Sequence, residues 1–424
     1  MAVSLNYNAR RILGWGVLAV LFIFVNFHRI STGVLADSIM RAFDTTGAEL
    51  GVLHSSFFYI YAPLQLVAGL LVDRLGTRRV TIWGSIVMGS GAFGFAMSET
   101  YTMGFLSRAC LGFGGSVIYI AILRYCANWF RGDQFATITG FTLSASAVGG
   151  LLATTPLAIV VSRFGWRMAF IFVAAAGLVA TIGVFLVVRD SPSDAGFEPV
   201  EGSVEQPSLT FGQVLTNARS VLVEQETWIL GTMMFFAVGT NYTVMGLWGV
   251  PYLVHAYGLS VKTASLFTLV GNAGLLFGSP GVGWISDRLG RRTSITVVTG
   301  ALYCSLYGAI ALLVTPPLGF IALAFFATMF LHGGFLLSYT VIKERHSGAK
   351  SGTAMGMVNG LGFLGAAVLP GLMGVALDAF WTGETLAGSR IYTLPGYRIA
   401  FGIATLSGLL SLACAVWLHW FSDS

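Results

Sequence analysis

Charge is what this sequence has least of. Only 10% of its 424 residues are Asp, Glu, Lys or Arg, against roughly 25% in soluble domains, which excludes a water-soluble fold of this size. Cysteine is scarce too: Cys110, Cys126, Cys304 and Cys414 all lie in apolar stretches and form no C-x-x-C pair, so neither a disulfide framework nor a zinc site is indicated. No G-x-x-x-x-G-K-[ST] loop is present, which argues against transport driven directly by ATP. Outside the apolar stretches there is no H-E-x-x-H, no paired carboxylates and no Ser-His-Asp pattern; no enzyme chemistry, cofactor or metal is expected. The net charge of +5 does not call for nucleic acid, because the basic residues sit in short segments between apolar runs, where they set membrane orientation.

What fills the chain instead is apolar sequence, 55% of it hydrophobic, with a mean hydropathy of +0.79. A helix crossing a bilayer needs about 20 such residues. Twelve stretches qualify, at about 14–36, 48–72, 80–98, 103–127, 136–161, 168–188, 227–250, 262–285, 293–314, 318–342, 353–377 and 398–420. An all-α integral membrane protein follows, a monomer with the lipid bilayer as its solvent. The 54 glycines suit it, since small residues let membrane helices approach closely. The domains expected are an N-terminal tail (1–13), a six-helix bundle (14–189), a linker (190–226), a second six-helix bundle (227–420) and a short tail (421–424). The linker region is the one long polar stretch, with Pro192, Pro199, Pro207 and the acids Asp190, Asp194, Glu198, Glu201 and Glu205, and a short helix is expected near 211–223.

Fourteen basic residues, among them Arg10, Arg11, Arg74, Arg78, Arg79, Arg131, Arg189, Arg291, Arg292 and Lys350, fall on the side of the termini; Arg41, Arg163, Arg167, Lys262, Arg390 and Arg398 fall on the other. That asymmetry places both termini in the cytoplasm of a cell membrane. Arg10-Arg11 before an apolar run imitates a signal peptide, but the run is long, has no small-x-small cleavage site and contains Asn26, His28 and Arg29, so it reads as a retained first span.

The chain repeats itself. Gly69-Leu-Leu-Val-Asp73-Arg74-Leu-Gly76-Thr-Arg78-Arg79 recurs as Gly283-Trp-Ile-Ser-Asp287-Arg288-Leu-Gly290-Arg291-Arg292, and Gly165-Trp166-Arg167-Met-Ala-Phe170 as Gly396-Tyr397-Arg398-Ile-Ala-Phe401. From Asp73 to Asp287 the shift is 214 residues, the same as from Pro156 to Pro370; the last repeat is displaced further by an insertion at about 379–395. Two six-helix halves carrying G-x-x-x-D-R-x-G-x-R between spans two and three, and again between eight and nine, resemble the major facilitator superfamily over essentially the whole chain. The resemblance implies alternating access and a gating role for Asp73, Arg74, Asp287 and Arg288. The bare residues also allow simple topological anchoring by Arg78, Arg79, Arg291 and Arg292.

Inside the spans no acid is expected at mid-membrane; Asp37, Glu49, Glu344 and Asp378 come closest. Three arginines do lie there: Arg29 in the first span, Arg108 and Arg124 in the fourth. A central arginine costs about 2.5–3.5 kcal/mol on insertion scales, so it faces a wet cavity or a partner; for Arg29 the natural counter-ion is a substrate anion. Asn26, Arg29, Gly33 and Asp37 form a stripe at helical spacing, and His54, Tyr61 and Gln65 share a face of the second span. The expected substrate-binding set is Arg29, Asn26, His54, Tyr61, Gln65, Arg108, Tyr119 and Arg124 in the first half, with Tyr242, Trp248, Asn272, His332 and Asn359 in the second. For each tyrosine, asparagine or tryptophan, helix-to-helix hydrogen bonding is an equal alternative.

His54-Ser55-Ser56-Phe57-Phe58-Tyr59, followed by Gln65 and the loop motif, resembles the second helix of the anion:cation symporter family. Arg29 stands where that family and the organophosphate:phosphate antiporters hold an anion-binding arginine. Asn241-Tyr242 replaces the second arginine of the phosphate exchangers, and Gly114-Gly115 replaces an acid common in the fourth helix of the symporters. The function expected is therefore secondary active transport of a small organic anion, carboxylate rather than phosphate ester. Efflux of drugs or metabolites, and a transporter-like sensor, stand as alternatives. With no buried acid, proton coupling would fall to His54, His28 or His332, the side chains that titrate near neutrality; uniport or exchange stays open beside it.

Overall fold

The computed structural model describes residues 6–198, 200, 211–313, 315–346, 348–386 and 388–421. Pro199, Glu201, Glu205 and Pro207 of the linker lie outside them. Ten helices among the described residues are long and apolar enough to cross a membrane, and a pair bent by 63°, Gly47–Leu64 with Ala68–Leu75, supplies an eleventh span. Thr77–Ala96 is more polar but has 20 residues, about 30 Å of helix, and packs along the fourth and sixth spans to complete twelve.

Several boundaries differ from the hydropathy pattern because polar residues extend the helices beyond the apolar runs. The first span covers Tyr7–Ile30 and Thr32–Phe43, broken at Ser31, rather than 14–36. It ends where Asp44 adopts a left-handed conformation (φ 48°), and a capping box between Thr46 and Glu49 starts the second span. The fifth and sixth spans are not separated by a loop. Helix Gly132–Leu152 is followed by Thr155–Val187, which turns at Gly165 with φ 78°, a value that costs glycine nothing. Gly76 (φ 80°) and Gly290 (φ 63°) turn the two copies of the charged loop. The fourth span is Tyr101–Gly115 with Ile118–Trp129. A helix at Phe211–Leu222 lies within the polar segment, and a two-stranded hairpin pairs Thr385 with Arg390 in the insertion before the twelfth span.

The second half consists of Gln225–Tyr257, Val261–Leu289, Arg292–Leu312, Leu318–Arg345, Gly348–Ala379 and Leu394–Phe421. The duplication extends to side-chain roles. Arg167 donates to the carbonyls of Ala96 and Ser98, closing the end of the third span; Arg398 donates to Ala311 and Leu312 at the end of the ninth. Each arginine satisfies carbonyls that a helix terminus leaves unpaired, and each follows the glycine of its Gly-Trp-Arg or Gly-Tyr-Arg repeat. Large apolar side chains such as Trp83, Val179, Trp284 and Trp420 are exposed and form the lipid-facing belt.

The halves meet along the second and eleventh spans, the fifth and eighth, and the first and seventh. The seventh contains a π-helical segment, Val244–Trp248, facing the break in the first; such segments recur at functional sites.

Candidate substrate site

Arg29 lies in the last turn before the break at Ser31 and is only 4% exposed. Its guanidinium stands 4.4 Å from the ring centre of Tyr61, 4.8 Å from Phe363 and 6.0 Å from Phe57. The hydroxyls of Tyr61 and Tyr242 face it. Among the described residues no carboxylate lies within ion-pair distance of it, and Nε and Nη2 have no hydrogen-bond partner. Those two atoms form one side of the guanidinium fork, which matches a carboxylate's two oxygens. Aromatic faces supply some attraction for the cation, but they leave Nε and Nη2 without an acceptor. A buried donor without a partner is costly, and an anion removes that cost.

A neutral chain of hydrogen bonds crosses between the halves beside Arg29. Tyr339 donates to Asn359 Oδ1 at 2.7 Å, Asn359 Nδ2 donates to Gln65 Oε1 at 3.2 Å, and Gln65 Nε2 donates to the Ser116 carbonyl at 3.3 Å. Arg29, Tyr61, Gln65, Tyr242 and Asn359 of the expected set thus converge around one point between the bundles. Asn26 binds the Ser146 carbonyl (2.7 Å) and Asn272 the Thr268 carbonyl (2.8 Å); both flank Gly150, where the fifth span meets the eighth. Tyr119 stacks on Phe22 at 5.0 Å.

Other members of the set lie elsewhere. Arg108 is fully buried and donates to the carbonyls of Leu53, His54 and His28. This braces the second span and the break of the first; Nη1 alone lacks a partner. Arg124 pairs with Asp73 at 3.7 Å, at the face of the molecule that carries the termini. Trp248 donates to the Pro370 carbonyl and packs against Tyr392 near the opposite, far face. His332 is buried against Phe335 inside the second half.

The titratable histidines divide similarly. His54 is buried, neither ring nitrogen has a partner, and its Cε1 lies 3.3 Å from where a Cβ on Gly246 of the π-helical segment would stand. His28 packs on Phe27 and Phe170, away from the other half. Of the gating residues, Asp287 pairs with Arg292 at 3.2 Å, Arg288 covers Trp284, and Arg74 is exposed.

Sequence reasoning missed Phe363, Phe57 and Phe58, which wall the site. Phe363 follows Asn359 by four residues and so shares its helix face; that was the available signal. It also missed His255, whose Nε2 meets Asp37 across the bundles at 3.4 Å.

The family model for the Major Facilitator Superfamily matches residues 16–370 and, again, 230–424. The chain is 26% identical to the probable sulfoacetate transporter SauU of Cupriavidus necator, covering 94% of this chain and 92% of that protein. It is 23% identical to the hexuronate transporter of Bacillus subtilis, covering 90% and 92%. Its fold superposes on the crystal structure of a bacterial homolog of the human lysosomal transporter Spinster with a TM-score of 0.79, at 17% identity and 97% coverage of both chains. Two bundles of six spans joined around a buried polar site, on a chain matched nearly end to end, make this protein a secondary transporter belonging to the major facilitator superfamily.

Proposed function

We propose that the protein carries a small organic anion of the carboxylate type across a cell membrane by alternating access, with both termini in the cytoplasm. The observation that carries this reading is Arg29: buried, without a counter-charge among the described residues, and with one side of its fork unpaired. One uncompensated cation suits one carboxylate group of the cargo. The two other arginines that the sequence places inside the apolar stretches of the first half are occupied, Arg108 by carbonyls and Arg124 by Asp73, which argues against a phosphate ester carrying two charges. The relatives named for sulfoacetate and hexuronate transport support an organic anion as cargo. The rigid units in motion are the bundles of residues 14–189 and 227–420, hinged by the 190–226 linker in a monomer.

Proton coupling through His54 belongs to the same proposal. The imidazole lies at the seam between the halves beside the Arg108-bound carbonyls, and neither of its ring nitrogens has a partner among the described residues. A proton taken up there would be linked to anion binding through the same seam.

One set of proteoliposome measurements tests both parts. Uptake of radiolabelled monocarboxylates, dicarboxylates and phosphate esters is compared for wild type, Arg29→Lys and Arg29→Ala, with and without an imposed pH gradient. Monocarboxylate uptake that falls in both variants, with protein levels intact, supports the assignment; wild-type affinity in Arg29→Ala overturns it. Wild-type uptake indifferent to the gradient removes proton symport. Gradient-driven uptake that survives His54→Gln moves the coupling role to His28 or His332.

A further inference from the structure

At the far face, one carboxylate of the second half caps a helix of the first. Asp378 stands in the last turn of the eleventh span, and its two oxygens accept from the backbone amides of Gly47 (2.9 Å) and Ala48 (2.8 Å), the first residues of the second span. Opening amides of a helix have no partner within it. The capping box satisfies two others: Thr46 Oγ1 accepts from Glu49 N, and Glu49 accepts from Thr46 N. Gly47 and Ala48 are left without a cap from their own half, and the positive end of the helix favours an anion there.

The second half holds that anion in place. Tyr392 donates its hydroxyl to Asp378 at 2.8 Å and Arg390 pairs with it at 3.4 Å, both from the insertion before the twelfth span. The carboxylate reaches backbone amides because the two helices touch backbone to backbone beneath it. A Cβ on Gly51 would collide with Pro370, and one on Gly374 with Gly47.

We propose that Asp378 is the positioning residue that closes the far face: its bonds to the second span's N-terminus form only when the halves meet there, and their release admits the far side to the Arg29 site. The carboxylate and the amides it caps lie in different halves, so separation of the halves at this face breaks the cap. A cap serving the fold alone would come from the same half, as Thr46 does. Asp37 and His255 add a second tie between the first and seventh spans at 3.4 Å, but through side chains only. The assignment does not depend on which anion is carried.

Double electron–electron resonance on full-length protein in nanodiscs tests it. Labels enter through ketone amino acids replacing Glu99 and Thr382, exposed on opposite halves of the far face, so the native cysteines remain. Asp378→Asn and Asp378→Ala should raise the long-distance population about tenfold over wild type. A second pair replacing Arg79 and Arg291, exposed on the terminus face, should shorten reciprocally. Tyr392→Phe, which leaves the carboxylate but removes one of its anchors, should shift both pairs the same way by less. Folded Asp378 variants with wild-type distances at the far face overturn the proposal. If neither Asp378 variant folds, an unchanged distribution in Tyr392→Phe overturns it.

Discussion

The two faces of the molecule are built from the same duplicated sequence yet bond differently. On the far face some bonds cross between the halves, Asp378 to Gly47 and Ala48 and Ser265 to Thr155, with the Asp37–His255 contact beside them, while others such as Arg390 with Asp378 stay within one half. On the terminus face every ion pair among the described residues stays within one half, from Arg124 with Asp73 to Lys350 with Glu224. The glycines of the eleventh span measure the divergence. A Cβ on Gly374 would strike the second span, one on Gly360 would lie 3.3 Å from the Ala62 carbonyl, one on Gly356 3.7 Å from that of Gln65, and one on Gly352 would meet nothing within 4 Å. The second and eleventh spans therefore form a V with its vertex at the far face, and Arg29 lies between that vertex and the opening.

This difference bears on what a latch is. A contact biases an alternating-access equilibrium only if it exists in one state and not the other. The far-face bonds that cross the halves meet that condition in the present state. The charged loops do not cross, so any latch they form belongs to the other state, when the terminus face is closed.

The harshest way to break the comparison is to fill the vertex. Gly51→Leu places a side chain where Pro370 and Gly371 now pack. Overpacking costs about 1–3 kcal/mol, and at 1.4 kcal/mol per factor of ten the far-closed population should fall roughly 5- to 150-fold. Transport should fall with it while expression persists. Distance distributions across the far face check this; a Gly51→Leu protein with wild-type distances and transport would show that the backbone contact is not what closes this end.

A smaller effect tests the terminus face. If Asp73 and Asp287 latch it in the opposite state, Asp73→Asn should shift the resting population further toward the form seen here. An ion pair of this exposure is worth about 1 kcal/mol at most, so the shift should be roughly fivefold or less. Transport should drop more than binding. Labels on the terminus ends of the two halves report it, and an unchanged distribution would reduce the motif to an anchor.

How far the sequence could be read follows the same division. The spans were legible because bilayer thickness imposes a length and a polarity on every helix, and the repeat because both copies of the D-R-x-G-x-R loop and of Gly-Trp/Tyr-Arg kept their residue types. Arg29 was legible because charge within an apolar run stands out. Its aromatic walls were not, since Phe57, Phe58 and Phe363 look like any lipid-facing or core phenylalanine until the halves are docked. Arg108 showed the limit of the charge argument. A buried arginine needs partners, but nothing in its spacing says whether they are a substrate's oxygens or the carbonyls of Leu53, His54 and His28. The far-face cap was the least legible, because its donors are backbone amides, which every residue but proline has, and they lie 330 residues or more from Asp378.

The smallest expected effect sharpens the comparison by its near absence. Lys350 meets Glu224 at 2.6 Å, shorter than any of the far-face bonds, and on distance alone it would rank as the stronger tie. Glu224, the last linker residue before the seventh span's helix, and Lys350 of the eleventh span move together with the second half, however, and each is about one-third exposed. The pair persists whichever way the halves tilt, so removing it subtracts similar amounts from both states. Lys350→Ala should cost about 0.2–1 kcal/mol of stability at most and change the open-to-closed ratio by less than about twofold. Thermal midpoint and terminus-face distance distributions, measured on the same sample, separate the two quantities. A population shift as large as that of Asp73→Asn would mean that pairs within one half also report its docking, and that the distinction between crossing and non-crossing bonds is not the one that governs this transporter.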